Sequence, residues 1–306
     1  MEKPCQKVLR SRRVTLHNIF TNIDTIGQSY PCKFIAWLIH AGGDSMLYLF
    51  KLFFWNCKMG ISRSIEYRFD FLLGMFVSLI FSSIGPILQY VIFTQTKGFP
   101  GWNLDQIILF QGILLFVLGM RRMAFGGLPG YVNRLVRRGD FDRLLLKPYP
   151  PIGVILVSGF NLDSIGSIIA GLSIAIYSIL KMGIHIGIIQ ILVFLLAIVF
   201  GIILFMGFQI LYTSIVIMLV QIGRLDELLN NILRFGEYPI SIFSRTLQTA
   251  LVTVIPFAVW VNIPANALLN NLDYTISITF IFSLVFFFLN LKIWNLCLRN
   301  YTSAGG

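Results

Sequence analysis

The 306-residue sequence predicts an all-α polytopic integral membrane protein with about six transmembrane helices and cytoplasmic N- and C-termini. Three observations predict it. First, 57% of the residues are hydrophobic and 12% charged, with a mean hydropathy of +0.80. An average soluble chain is about a quarter charged, and a water-soluble core could not hide this much apolar surface. Second, several apolar runs reach the roughly 20 residues that a helix needs to cross a bilayer. Third, the net charge of +11 is unevenly placed, with ten of the 24 Lys/Arg in residues 1–70 and seven from Arg121 to Lys147. Segments assigned to the outside carry only Lys97, Asp105, Lys181 and Asp273, which cancel. The positive-inside rule then puts both ends and the 121–151 loop in the cytoplasm. That orientation accounts for the basicity without a nucleic-acid partner and makes the lipid bilayer the first partner.

Residues 1–45 are polar, basic and aperiodic, which predicts a cytoplasmic extension. The run MLYLFKLFFWNC, Met46 to Cys57, is apolar and aromatic but too short to span, so 46–66 is expected as an interfacial, connecting helix with Trp55 and Lys51 near the headgroups. The transmembrane domain is expected over 67–306. Its first span is Phe71–Thr94, kinked at Gly85-Pro86. The loop 95–103 is rich in Gly, Pro and Trp, and Leu104–Met120 returns inward to stop at Arg121-Arg122. A third span is expected over Ile152–Leu180, after the extended lead-in set by Pro148, Pro150 and Pro151.

Ile184–Val220 is too long for one ordinary span and slightly short for two, so one long tilted helix and a tight pair both fit. Residues 221–245 are mixed in charge. The following 246–265 are apolar but broken by Pro256 and Pro264, which suits a short span or a re-entrant hairpin buried in protein. Tyr274–Leu291 is the last span.

Chemistry-bearing patterns are few. The sequence contains no GxxxxGK[ST], GxSxG or HExxH pattern, and only three histidines. Enzymatic work and nucleotide binding are therefore not expected of this chain, and neither is a resident cofactor or metal. Cys5, Cys32, Cys57 and Cys297 have no CxxC spacing, so neither a disulfide framework nor a zinc site is expected. No apolar core of a cleavable secretion signal is visible in the first 30 residues, which leaves targeting to the first span.

The informative stretch is 128–151, LPGYVNRLVRRGDFDRLLLKPYPP. Leu128, Val132, Leu135 and Val136 form one apolar stripe, with Arg134, Arg137 and Arg138 on the rest of the turn and Gly139 as the cap. Such a helix lies on lipid headgroups or docks on another protein. Asp140 and Asp142 favour docking, because anionic headgroups repel them. Asp163, twelfth in the expected third span, is either a pathway carboxylate or a structural one bonded to a neighbouring helix. Gly166/Ala170 and Ser167/Gly171 nearby give the small-xxx-small spacing of close helix contact.

RRGDFDRLLLKP resembles the R-x-G-x-x-D-x-L-L-x-x-P signature of permease subunits in the type-2 ABC exporter superfamily, in the branch with proposed viologen and drug exporters. Glu66-Tyr67-Arg68 with Asp70, the run Tyr238-Pro239-Ile240 through Pro256 to Pro264-Ala265, and Tyr301-Thr302-Ser303-Ala304-Gly305 agree with that branch in order. The resemblance covers about residues 46–306. It implies a six-helix permease half of a multi-pass transporter in the cytoplasmic (inner) membrane, working with a second permease, identical or homologous, and a dimer of ATPase subunits. ATP and Mg would be bound by those partners and not by this chain.

The resemblance further implies that the 128–148 loop couples to the ATPase through Leu135, Arg138, Gly139, Asp140, Asp142, Leu145 and Pro148. It implies an outer gate over 239–265, with Pro239, Pro256 and Pro264 as candidates and 184–220 read as a pair of spans. Multidrug or cation efflux is what the resemblance implies, without fixing the substrate, and Asp163 is the pathway candidate that would attract a cation if it faces a wet cavity. The rival functions are an ion-driven secondary transporter, which should show inverted repeats and several intramembrane ionisable groups, and a non-transporting membrane scaffold.

Overall fold

The computed structural model describes residues 42–96, 98–146, 150–219, 227, 230–231, 234–248, 260–270 and 275–301. Every regular element among them is helical. In chain order they are α1 (Gly42–Glu66), α2 (Arg68–Gln95), α3 (Leu104–Phe125), α4 (Leu128–Arg137), α5 (Asp140–Leu145), α6 (Pro151–Val157), α7 (Ile165–Met182) and α8 (Ile188–Leu219). Two 3-10 turns at Arg234–Glu237 and Ile240–Ile242 precede α9 (Asn262–Leu268) and α10 (Thr275–Arg299). Among the described residues, five helical segments are long and apolar enough to cross a membrane: Arg68–Gln95, Leu104–Arg137, Ile165–Met182, Ile188–Leu219 and Ile276–Arg299. The apolar stretch 246–265 falls largely outside the described residues, and Pro148 and Pro256 lie outside them too.

The closest helix pair is α3 with α7. It is close because small residues face each other: a Cβ on Gly112 would fall 2.6 Å from the Ala175 nitrogen, and one on Gly119 2.7 Å from Ile168 Cγ1. The other face of the same small-residue stretch meets α2, where Ser167 Oγ lies 2.9 Å from Ser78 Oγ and 3.1 Å from Ser82 Oγ. Interhelical hydroxyl pairs of this kind satisfy polar groups that lipid cannot. The expected tight contact at Gly166 and Gly171 is thus used on two sides of one helix. Opposite, α8 packs on α10 through aromatic rings, with Phe200 stacked on Phe280 at 4.3 Å and Phe208 4.7 Å from Phe286.

Two expectations about spans are corrected. Ile152–Leu180 is not one helix: α6 ends at Val157, residues 158–164 turn, and α7 starts at Ile165. Gly159 and a local run of Ser158, Asn161, Asp163 and Ser164 break the helix. The freed backbone is re-satisfied by the end of α3, with Gly127 N–H donating to Gly159 O at 2.9 Å and Asn161 N–H to Met123 O at 2.8 Å. Non-helical backbone is tolerated here because protein supplies its partners. Ile188–Leu219 is one continuous helix, not the pair implied by the resemblance. At 1.5 Å per residue it is about 48 Å long, well beyond a hydrocarbon core of about 30 Å, so one end projects beyond the apolar layer.

α1 is longer than the expected apolar run and is not among the membrane-crossing candidates. It reaches the 158–164 break, where Phe53 meets Phe160 edge-on at 5.6 Å between centroids and Gly60 faces Leu162. Its outer side carries exposed Phe54, Trp55, Met59 and Ile65.

Candidate functional site

The stretch 128–146 folds as two short helices joined by a glycine elbow. In α4, Leu128, Val132, Leu135 and Val136 are buried, while Arg134 and Arg137 are exposed, which is the stripe read from the sequence. Gly139 then takes φ 68° and ψ 10°, the left-handed region that costs a side chain, and becomes the N-cap of α5. Its N–H donates to Val136 O at 3.2 Å, so the same residue closes α4 and opens α5. The second helix was not foreseen. Asp140 and Asp142 occupy its first turn, where the helix dipole favours carboxylates.

The elbow is fastened to the bundle at two points. Asn133 Nδ2 donates to the Tyr212 hydroxyl at 3.1 Å, tying α4 to the C-terminal part of α8. Phe141, fully buried, meets the Tyr301 ring at 4.9 Å and the Trp294 ring at 6.4 Å, both edge-on, tying α5 to α10 and the segment after it. Phe141, Trp294, Tyr301, Asn133 and Tyr212 went unnoticed as partners in the sequence. The only signal was that Phe141 sits between two aspartates.

Of the expected coupling residues, Arg138 is exposed and Gly139, Asp140, Asp142 and Leu145 are partly exposed on one elbow. Leu135 is buried and faces the bundle, so it holds α4 in place instead of presenting a surface. Leu146, one residue beyond α5, is the most exposed large apolar side chain of the elbow at 87%. Asp140 pairs with Arg143 at 3.2 Å on the surface, an exposed contact of the kind worth about 0–1 kcal/mol.

Asp163 is exposed and lies in the turn ahead of α7, close to Met123 near the C-terminal end of α3, and not within a membrane-crossing helix. Its N–H donates to Asn161 Oδ1 at 3.0 Å and its carboxylate accepts from Asn161 Nδ2 at 2.9 Å. The expectation that it is the twelfth residue of a span from Ile152 is corrected, because the helix breaks at 158–164 and Asp163 precedes the next one.

Between the ends of α3 and α8 lies a cavity of about 260 Å³ that the sequence reading missed. Arg121, Arg122, Phe205, Phe208, Gln209 and Tyr212 are among its lining residues. The Arg121 guanidinium stands 4.9 Å from the centroid of Phe205 and 6.0 Å from that of Trp260, cation–π contacts that stabilise a charge withdrawn from water. Burial pushes the nearby Glu237 carboxyl above its ordinary value of 4.5, with the positive charges of Arg234, Arg121 and Arg122 pulling the other way.

At the other end of α3, Trp102 Nε1 donates to Ser241 Oγ at 3.0 Å, and Ile240 N–H donates to Asn262 Oδ1 at 3.2 Å. These bonds bring buried Pro239, at the cap of a 3-10 turn, and buried Pro264, within α9, to one place beside α3. An Asp105–Lys181 pair at 2.6 Å and a Ser178 Oγ bond to Asp105 O at 2.6 Å fasten α3 to α7 at this same end.

Residues 79–305 match the family described as ABC-2 family transporter protein. No curated protein and no solved structure matches the chain.

Proposed function

The chain belongs to the ABC-2 family of transporter proteins, as a multi-pass membrane permease component of an ABC transporter, and from that premise we propose that it is the permease half of an exporter driven by a separate ATPase. The observation that carries the coupling part is the glycine elbow. Two short helices with an arginine- and aspartate-bearing face are fixed at one end to α8 and at the other to α10. A push on the elbow therefore reaches two spans at once, through a hydrogen bond and a buried aromatic cluster. Such contacts transmit displacement because packed side chains have discrete arrangements and do not deform continuously.

In this reading the elbow, the 158–164 break and the Arg121 cavity face the cytoplasm. ATP and Mg reside on the partner subunits, whose closure presses on Arg138, Gly139, Asp140, Asp142 and Leu145 and shifts the population between two helix packings. Asp163 becomes a residue of the inner mouth. The Trp102–Ser241 and Ile240–Asn262 bonds hold the outer segment that contains Pro239 and Pro264, which we read as the outer gate. A second permease half, identical or homologous, completes the pathway in the cytoplasmic membrane.

Expression of the tagged full chain beside its candidate ATPase, followed by purification, tests the coupling. The ATPase should co-purify with the wild-type chain, and the Asp140→Lys, Asp142→Lys double variant should lose ATP-driven transport while still folding, its melting temperature falling only slightly through the lost charge–dipole contacts at the start of α5. Unchanged transport in that variant would remove the elbow from the coupling mechanism.

A further inference from the structure

We propose that the cavity between Arg121 and α8 binds an organic anion with an aromatic body, its carboxylate, sulfonate or phosphate group held by Arg121 and Arg122. Calling the bound molecule a transported substrate rests on the permease reading; the binding itself does not.

Charge decides the sign of the ligand. Two adjacent guanidinium groups line the cavity and Arg234 acts on the same region, against the Glu237 carboxylate among the described residues. A cation brought here meets net repulsion, whereas an anion neutralises it. The geometry leaves Arg121 able to bind. Its guanidinium carbon lies 4.9 Å from the Phe205 centroid and 6.0 Å from the Trp260 centroid, contacts that use no N–H donor, so the planar fork of donors keeps its capacity for an oxyanion.

Shape decides the rest. Phe205, Phe208 and Tyr212 form an aromatic wall beside the two arginines. A cavity of about 260 Å³ lies just below the usual range for drug-sized ligands, so it suits one fused-ring body and not an elongated chain. The buried Gln209 Oε1 has no hydrogen-bond partner among the described residues. A side-chain amide can turn over to present Nε2–H at the same spot, so this group favours a polar atom on the ligand over a purely apolar one. The cavity sits at the inner end of α3, level with the 158–164 break, and the same arginines that halt the span also line it. An anion drawn from the cytoplasm or from the inner leaflet meets it before any other part of the bundle interior.

The test uses the purified full chain in phosphatidylcholine nanodiscs, with 2-naphthalenesulfonate as probe and 2-naphthyltrimethylammonium as its matched cation, measured by calorimetric titration. The sulfonate should bind at least about tenfold more tightly than the cation, and Arg121→Gln should weaken it by about tenfold or more. If Arg121→Gln does not fold, Arg122→Gln, an exposed position, carries the test and should weaken the sulfonate several-fold. Equal affinity for anion and cation, no sulfonate binding, or unchanged affinity in the variant that folds overturns the proposal. Repeating the titration in phosphatidylglycerol nanodiscs identifies the source: competition assigns the site to an anionic lipid, and no competition assigns it to a soluble anion, either result supporting the anion site. Failure of an ATPase to co-purify would remove the permease coupling and leave this binding result standing.

Discussion

Gly112 of α3 and Gly171 of α7 stand back to back at the closest approach of those two helices. A Cβ on Gly112 would lie 2.9 Å from the Gly171 carbonyl oxygen, and one on Gly171 would lie 2.6 Å from the Gly112 carbonyl oxygen. The obstacles are backbone atoms, which cannot rotate away. In a bilayer, where lipid tails are as apolar as leucine, helix association depends on such van der Waals fit. Gly112→Ala and Gly171→Ala should each force the helices apart and destabilise the protein by about 1–3 kcal/mol, read as a fall in unfolding temperature in detergent. Gly130→Ala, where a Cβ meets nothing within 4 Å, should be neutral or slightly stabilising. Equal effects at all three sites would refute the close-contact account.

The elbow makes a separate demand on Gly139. At φ 68° a β-branched residue is strained by about 1–2 kcal/mol, whereas asparagine visits this region more readily. Gly139→Val should therefore lower both the unfolding temperature and ATP-driven transport, and Gly139→Asn should retain most of both. Space is not the cause, because a Cβ at this position would meet nothing within 4 Å. Full activity in the valine variant would show that the elbow does not need this backbone geometry.

Glu237 predicts a pH dependence. Its folded-state value is raised by burial above 4.5, so the folded protein holds the proton more tightly than the unfolded chain. That contribution to stability is complete below about pH 4.5 and is lost as pH rises through the higher folded-state value. Glu237→Gln removes the titration. Unfolding temperatures compared from about pH 4 to about pH 8 should show the wild type losing ground to the variant as pH increases. A constant difference between the two would contradict the assignment.

At Asp163 the expected outcome follows from its place in the turn. The carboxylate accepts one hydrogen bond from Asn161 and faces solvent, so Asp163→Asn should change stability little and leave the balance between cationic and anionic probes as in the wild type. A selective loss of cation transport at normal assembly would restore the pathway role read from the sequence. Asn161→Ala should do more damage, since that side chain both donates to Asp163 and accepts from its backbone.

The order of residues was enough to establish that the chain is helical, crosses a membrane several times and carries an amphipathic helix with a glycine just after it. Those properties are local: insertion depends on the composition of about 20 consecutive residues, and the α4 stripe on the 3.6-residue period of Leu128, Val132, Leu135 and Val136. The break at 158–164 was less legible because Ile152–Leu180 is continuous in hydropathy. Gly159, Asn161 and Asp163 hinted at it, but the bonds that sustain it come from Met123 and Gly127 on another helix. Ile188–Leu219 stays one helix where length alone left a pair open, because its small residues Gly201 and Gly207 are used to pack and not to turn, Gly207 lying against Phe286 of α10. The Arg121 cavity was legible least of all. In the sequence Arg121 and Arg122 only end a span. Packing brings Phe205 and Trp260, 84 and 139 positions further along the chain, onto the Arg121 guanidinium. No local period or spacing encodes a contact over such separations, so where a charge could be held inside the bundle was settled by the packing of distant helices.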